Sequence, residues 1–303
     1  MVLLAGFMTL ALLSACGNAA TNSRGSDYEG GHGMQHEVDG GQSEEAPSEA
    51  SHEGGHGDHG GHGGHGDSAE APSTDKLKAS FAFPTGAPQA GEQTELKIEI
   101  ANERGERVTD FEVSHEKLLH LIIVDHDLNF FNHIHPDRQE DGTFTIRTTF
   151  PAGGDYKLFA DVVPKGGAST TLSEWVNVEG AKGEHTEIAA DSTLRKEVSG
   201  KEIELSISSL RAKEESTLTF DIRDAASKKG IDDLQPYLGA VGHVVILSAD
   251  AEQYLHVHPL DEAATGPIAQ FATSFPGPGK YKIWGQFQHE NEVFTVAFVV
   301  DVE

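Results

Sequence analysis

One pattern, written twice, constrains this chain more than its length does. Leu121-Ile122-Ile123-Val124 recurs as Val244-Val245-Ile246-Leu247. Phe150-Pro151-Ala152-Gly153-Gly154-Asp155-Tyr156-Lys157 recurs as Phe275-Pro276-Gly277-Pro278-Gly279-Lys280-Tyr281-Lys282. The offsets are 123 and 125 residues, so the copies differ by a small loop insertion. Two tandem domains of about a hundred residues each follow.

Both copies read as all-β. Leu96-Lys97-Ile98-Glu99-Ile100, Phe144-Thr145-Ile146-Arg147-Thr148-Thr149-Phe150 and Tyr156-Lys157-Leu158-Phe159 are short apolar runs bounded by Gly, Pro, Asp and Asn. So are Ile203-Glu204-Leu205-Ser206-Ile207, Leu218-Thr219-Phe220-Asp221-Ile222, Tyr281-Lys282-Ile283-Trp284 and Phe294-Thr295-Val296-Ala297-Phe298. Period-two alternation marks strands with one buried face, and no long helical period competes. The expectation is two tandem β-sandwich repeats, residues 76–180 and 198–303. Tyr156 and Tyr281, each after a Gly-x turn, are expected to fasten a sandwich corner through their hydroxyls.

Each copy carries the same histidines at the same spacing. His120, His133 and His135 precede Pro136; His243, His256 and His258 precede Pro259. The gaps are 13 and then 2 in both, although positions between them have drifted: Asp125-His126 faces Ser248-Ala249. The polar stretch after Val124 reads as a hairpin turn, so the first histidine of each set lies opposite the His-x-His pair. Residues two apart share a strand face, as do cross-strand partners. With an even loop all three rings converge; an odd loop or a bulge would send His120 and His243 to the other face. Three convergent neutral imidazoles make a site for copper, zinc or nickel. Asp161 and the aligned Gln286 are candidates for an acceptor that orients an imidazole. His115, His126, His185 and His289 occur in one copy only and are expected to have ordinary packing roles.

The chain's beginning bears on location. Residues 3–13 are almost wholly apolar and too short to span a bilayer, and Leu13-Ser14-Ala15-Cys16 ends the run. Residues 1–16 thus resemble a bacterial lipoprotein signal peptide, which implies lipidation of Cys16 and a membrane anchor outside the cytoplasm. Cys16 is the only cysteine, so disulfides, Cys₄ zinc sites and thiol catalysis are excluded. Residues 17–75 are Gly, His, Ser, Glu and Asp with few aliphatics, which predicts a disordered tether. Within it His52, His56, His59, His62 and His65 are spaced by glycines and acidic residues, a composition suited to loose capture of borderline metal ions. With 22 basic against 49 acidic residues the formal charge is -27, which repels nucleic acid and favours cations.

Phe275-Pro276-Gly277-Pro278-Gly279-Lys280-Tyr281 resembles the turn and strand that lead to the metal in cupredoxins. Ala160 and Gly285 stand where a cupredoxin would place its cysteine ligand, so blue-copper electron transfer is excluded. His133-x-His135 with Glu140, and His256-x-His258 with Glu262, resemble the first cupin motif, but Asp127 and Asp250 occupy its glycine positions. The broader resemblance, through the apolar-strand, His-x-His-Pro and Pro-x-Gly-x-Tyr blocks, is to exported bacterial proteins of the YtkA-like type. It implies immunoglobulin-like/cupredoxin-like sandwiches in a metal-handling setting. The expected function is a non-enzymatic lipoprotein that buffers, sequesters or delivers metal, with copper favoured over zinc or nickel. A metal-dependent enzyme on the three-histidine site, or a structural surface protein with immunoglobulin-like binding domains, are the alternatives.

Overall fold

The computed structural model describes residues 76–303, apart from His256 and the side chain of His258. Cys16 and the tract bearing His52, His56, His59, His62 and His65 lie outside the described residues. The first sandwich runs through β1 (Lys78–Ala82), β2 (Gln93–Ala101), β3 (Phe111–Glu112), β4 (Leu119–Asp125), β5 (Phe131–Ile134), β6 (Asp137–Arg138), β7 (Phe144–Thr149), β8 (Gly154–Pro164) and β9 (Thr170–Val178). One sheet is ordered β1-β2-β7-β6 and the other β3-β8-β4-β5, with β9 also paired to β8. In the second come β10 (Arg195–Val198), β11 (Lys201–Ile207), β12 (Glu215–Asp224), β13 (His243–Ser248), β14 (Tyr254–Leu255), β15 (His258–Pro259), β16 (Ile268–Ser274), β17 (Gly279–His289) and β18 (Glu292–Val302). Its sheets are ordered β10-β11-β12-β16-β15 and β14-β13-β17-β18. All named strand pairings are antiparallel. The described residues are all-β, two tandem immunoglobulin-like sandwiches.

Alternation builds each core. On β2, Leu96, Ile98 and Ile100 are buried while Lys97 and Glu99 face outward; on β12, Leu218, Phe220 and Ile222 do the same. Each sandwich closes over its own apolar cluster. Tyr156 donates its hydroxyl to the Ala152 carbonyl and Tyr281 to that of Gly277, each at 2.9 Å, which ties the corner where β8 and β17 begin. Gly154 and Gly279 sit there at φ of 134° and 135°, a conformation that a side chain resists.

Two strands depart from the half-buried pattern. Leu119 to Val124 on β4 and Val244 to Leu247 on β13 are buried without a break. An uninterrupted apolar run belongs to a strand covered on both faces. Here the second cover is the other repeat: Ile122, Val124, Leu128 and Phe159 of the first pack with Val245, Leu247, Ala251 and Trp284 of the second. The two sandwiches belong to one compact unit. Corresponding residues cross this interface in both directions. Lys157 reaches Glu252 at 2.7 Å, and its counterpart Lys282 donates to the Leu128 carbonyl at 2.7 Å. Phe131 stacks on Trp284 with centroids 4.8 Å apart.

Candidate metal centre

Hairpin parity brings the first repeat's histidines together. Val124 pairs with Phe131 and Ile122 with His133, which leaves an even loop between β4 and β5. Continued along the strands, that register sets His120 opposite His135, two residues from His133 and on the same face. In the second repeat Ile246 pairs with Leu255 and Leu247 with Tyr254, which gives the same parity. The side chains of His256 and His258 lie outside the described residues. Asp161 opposes His120 on β8 and Gln286 opposes His243 on β17, so the aligned pair occupies equivalent register positions.

One ligand atom from each of His120, His133 and His135 lies within 4.8 Å of the others. His120 Nε2 is 2.9 Å from the Ser114 carbonyl, which can only accept, so Nε2 is the donor there. The carbonyl is aimed by a tight turn in which Ser114 and Lys117 exchange backbone hydrogen bonds, with His115 and Glu116 left-handed at φ of 45° and 66°. His133 Nδ1 lies 2.7 Å from Gln286 Oε1, while the Gln286 amide nitrogen donates to Thr295 Oγ1 at 3.2 Å. With Gln286 so oriented, His133 donates through Nδ1 and turns the lone pair of Nε2 inward. His120 Nδ1 and His133 Nε2 face each other at 3.1 Å, within hydrogen-bond distance. Two nitrogens on one tetrahedral ion, at bonds of about 2.0–2.1 Å, stand roughly 3.3 Å apart. Among the described residues His135 Nε2 is buried with no hydrogen-bond partner. Such a set fits a cation.

Electrostatics favours the neutral, ligating rings. Burial pushes the His133 pKa down to about 3, with the charges of His135 and His120 adding and the Gln286 hydrogen bond opposing. Burial likewise lowers His135 to about 4, followed by His120 and Lys117. Asp161 is buried and accepts from Ser169 Oγ at 3.4 Å and Thr171 Oγ1 at 3.3 Å.

Other rings crowd the triad. His243 stacks on His120 with centroids 5.5 Å apart and planes within 6°, and lies 4.8 Å from His133. His115 packs at 6.1 Å from His120 and 5.6 Å from His243, so a residue expected to have only an ordinary role belongs to the cluster. Its presence in one copy alone concealed it; its position on a short turn beside His120 was the available signal. His126 and His185 instead both contact Asp127, at 3.1 and 2.7 Å, and His289 contacts Asp233 at 3.1 Å.

Fold and site define a class: tandem immunoglobulin-like sandwiches that enclose a histidine cluster where they meet. The family described as Domain of unknown function (DUF8832) matches residues 73–180 and again 196–303, and the chain belongs to that family. Comparison with the curated proteins finds no match. Among solved structures, the Escherichia coli adhesin FdeC is similar over 77% of this chain and 66% of its own, at 14% identity and a TM-score of 0.26. The Yersinia pseudotuberculosis adhesin InvE is similar over 77% of this chain and 61% of its own, at 10% identity and a TM-score of 0.22. This chain thus spans less than two thirds of either. At such TM-scores the likeness has no bearing on function.

Proposed function

We propose that this protein is a non-enzymatic, lipid-anchored, extracytoplasmic metal-binding protein that buffers, sequesters or delivers copper ions, zinc and nickel being the alternative cargoes. The observation that carries this reading is the convergence of one ring nitrogen each from His120, His133 and His135 within 4.8 Å, with His135 Nε2 buried without a hydrogen-bond partner among the described residues. Histidine donors bind copper most strongly among divalent first-row ions, which is why copper leads. The sequence's one cysteine is Cys16, and Ala160 and Gly285 stand where a cupredoxin would place its thiolate, so the ion is held rather than used for blue-copper electron transfer. Cys16, in its lipobox-like setting, would tether the protein, and His52, His56, His59, His62 and His65 would gather ions for the folded sites. The likeness to YtkA-like proteins suits the same setting.

A structural surface protein whose immunoglobulin-like domains present a binding face is the second reading. Two of the similar solved structures are adhesins. Under it the histidines only pack. Equilibrium dialysis against Cu(II), Zn(II) and Ni(II) separates the two, using full-length protein whose histidines before residue 66 are replaced by serine. The metal reading expects at least one tightly held equivalent that disappears in the His120→Ala, His133→Ala, His135→Ala triple variant. Failure of this protein to retain any of the three ions would leave the surface-protein reading.

A further inference from the structure

The triad's surroundings come from both repeats, and this bears on how the site is completed. His133, on β5 of the first sandwich, gives its Nδ1–H to Gln286 on β17 of the second. The His243 ring, on β13, lies as near His133 at 4.8 Å as the His135 ring does at 4.7 Å. Resting on the metal-binding reading above, we propose that the centre is shared between the repeats: His243 supplies a fourth imidazole to the ion held by His120, His133 and His135, and Gln286 positions His133 for ligation.

The chemistry follows from the donor count and from the amide. Four imidazoles satisfy a Cu(II) ion in tetragonal geometry, whereas three leave a position open. Gln286 controls which face of His133 is available. With Oε1 toward Nδ1, the Nε2 lone pair is free for the ion. Turned over by half a rotation, the amide would donate to Nδ1, and His133 would donate through Nε2 to His120. The first arrangement, which the structure shows, turns His133 Nε2 toward an ion; the second would pair it with His120 by a hydrogen bond instead. Gln286 is thus a positioning residue that selects between them, and it acts from the other repeat. Oxygen partners of this kind set the tautomer and orientation of metal-bound histidines.

The test uses full-length protein in which the histidines before residue 66 are serine and His256 and His258 are alanine, so that the second His-x-His pair cannot hold an ion. Cu(II) affinity is measured by chelator competition, and the ligating nitrogens by electron paramagnetic resonance. In this parent, His243→Ala is expected to weaken binding at least tenfold and remove one nitrogen from the spectrum. Gln286→Leu, which cannot accept the Nδ1 proton, is expected to weaken it about 10- to 100-fold. Gln286→Glu, which can only accept, is expected to match or exceed the parent's affinity. Should the leucine variant fail to fold by circular dichroism, His243→Ala and Gln286→Glu decide. Unchanged affinity and spectrum in His243→Ala, or loss of binding in a folded Gln286→Glu, overturns the shared centre. If His133→Ala with His135→Ala binds as tightly as the parent, the metal-binding reading itself fails, a separate outcome.

Discussion

Acid should destabilise the metal-free protein through His133, and replacing that residue should remove a measurable part of the effect. Folding takes the imidazole into a site where burial, above all, holds its pKa at about 3, against 6.5 for an ordinary histidine. Between those values the unfolded chain binds a proton that the folded chain refuses. The folded pKa is depressed, so stability is fully present above pH 6.5 and is lost as the pH falls from there toward 3. At pH 5 the unfolded group lies about 1.5 units below its pKa, which at about 1.4 kcal/mol per unit is a loss of about 2 kcal/mol relative to pH 8. His135, held at about 4, acts in the same direction, but more weakly because part of its ring meets solvent. Urea unfolding with a chelator present, at pH 8 and pH 5, measures the loss for the wild type and for His133→Leu. Carboxylate contributions are common to both proteins and cancel. The wild type should lose about 2 kcal/mol more than the variant. Equal losses would refute the assignment of His133 as a buried neutral imidazole.

Three further outcomes probe the frame that holds the site. Trp284→Ala removes a buried ring that stacks on Phe131 across the interface, and should cost about 3–5 kcal/mol in chemical unfolding; a cost under about 1 kcal/mol would mean that the repeats do not support one another. Tyr156→Phe deletes the hydroxyl's two hydrogen bonds to the Ala152 backbone and Tyr281→Phe the one to Gly277, and each should lower stability by about 1 kcal/mol, read as a drop in thermal midpoint. Gly279→Ala places a methyl group at φ 135° and should destabilise by about 1–3 kcal/mol, whereas a neutral result would show that the turn relaxes freely.

The sandwiches were legible because period-two runs such as Leu96-Lys97-Ile98-Glu99-Ile100 state which face is buried. The convergence of His120 with His133 and His135 was legible up to one condition, the even hairpin loop, since parity alone decides the face. What covers the second face of β4 was not readable. The apolar run Leu121-Ile122-Ile123-Val124 shows that something does, but apolar side chains carry no address for their partner. The same blindness hid the bond between His133 and Gln286, residues 153 apart that meet only because the interface brings the repeats together. Alignment of Gln286 with Asp161 singled it out as an acceptor, but gave no sign that it reaches the other repeat's histidine. His115 was hidden differently. Lacking a counterpart in the second copy, it took an ordinary role by default, yet its turn carries it to the His120 and His243 rings.

Anomalous scattering at the copper edge, from crystals of the full-length protein grown with Cu(II), tests the central claim most directly. A peak about 2 Å from His120 Nδ1, His133 Nε2 and His135 Nε2 is the predicted result. Strong peaks elsewhere on the folded domains with none at this triad, or no bound copper at all, would contradict it.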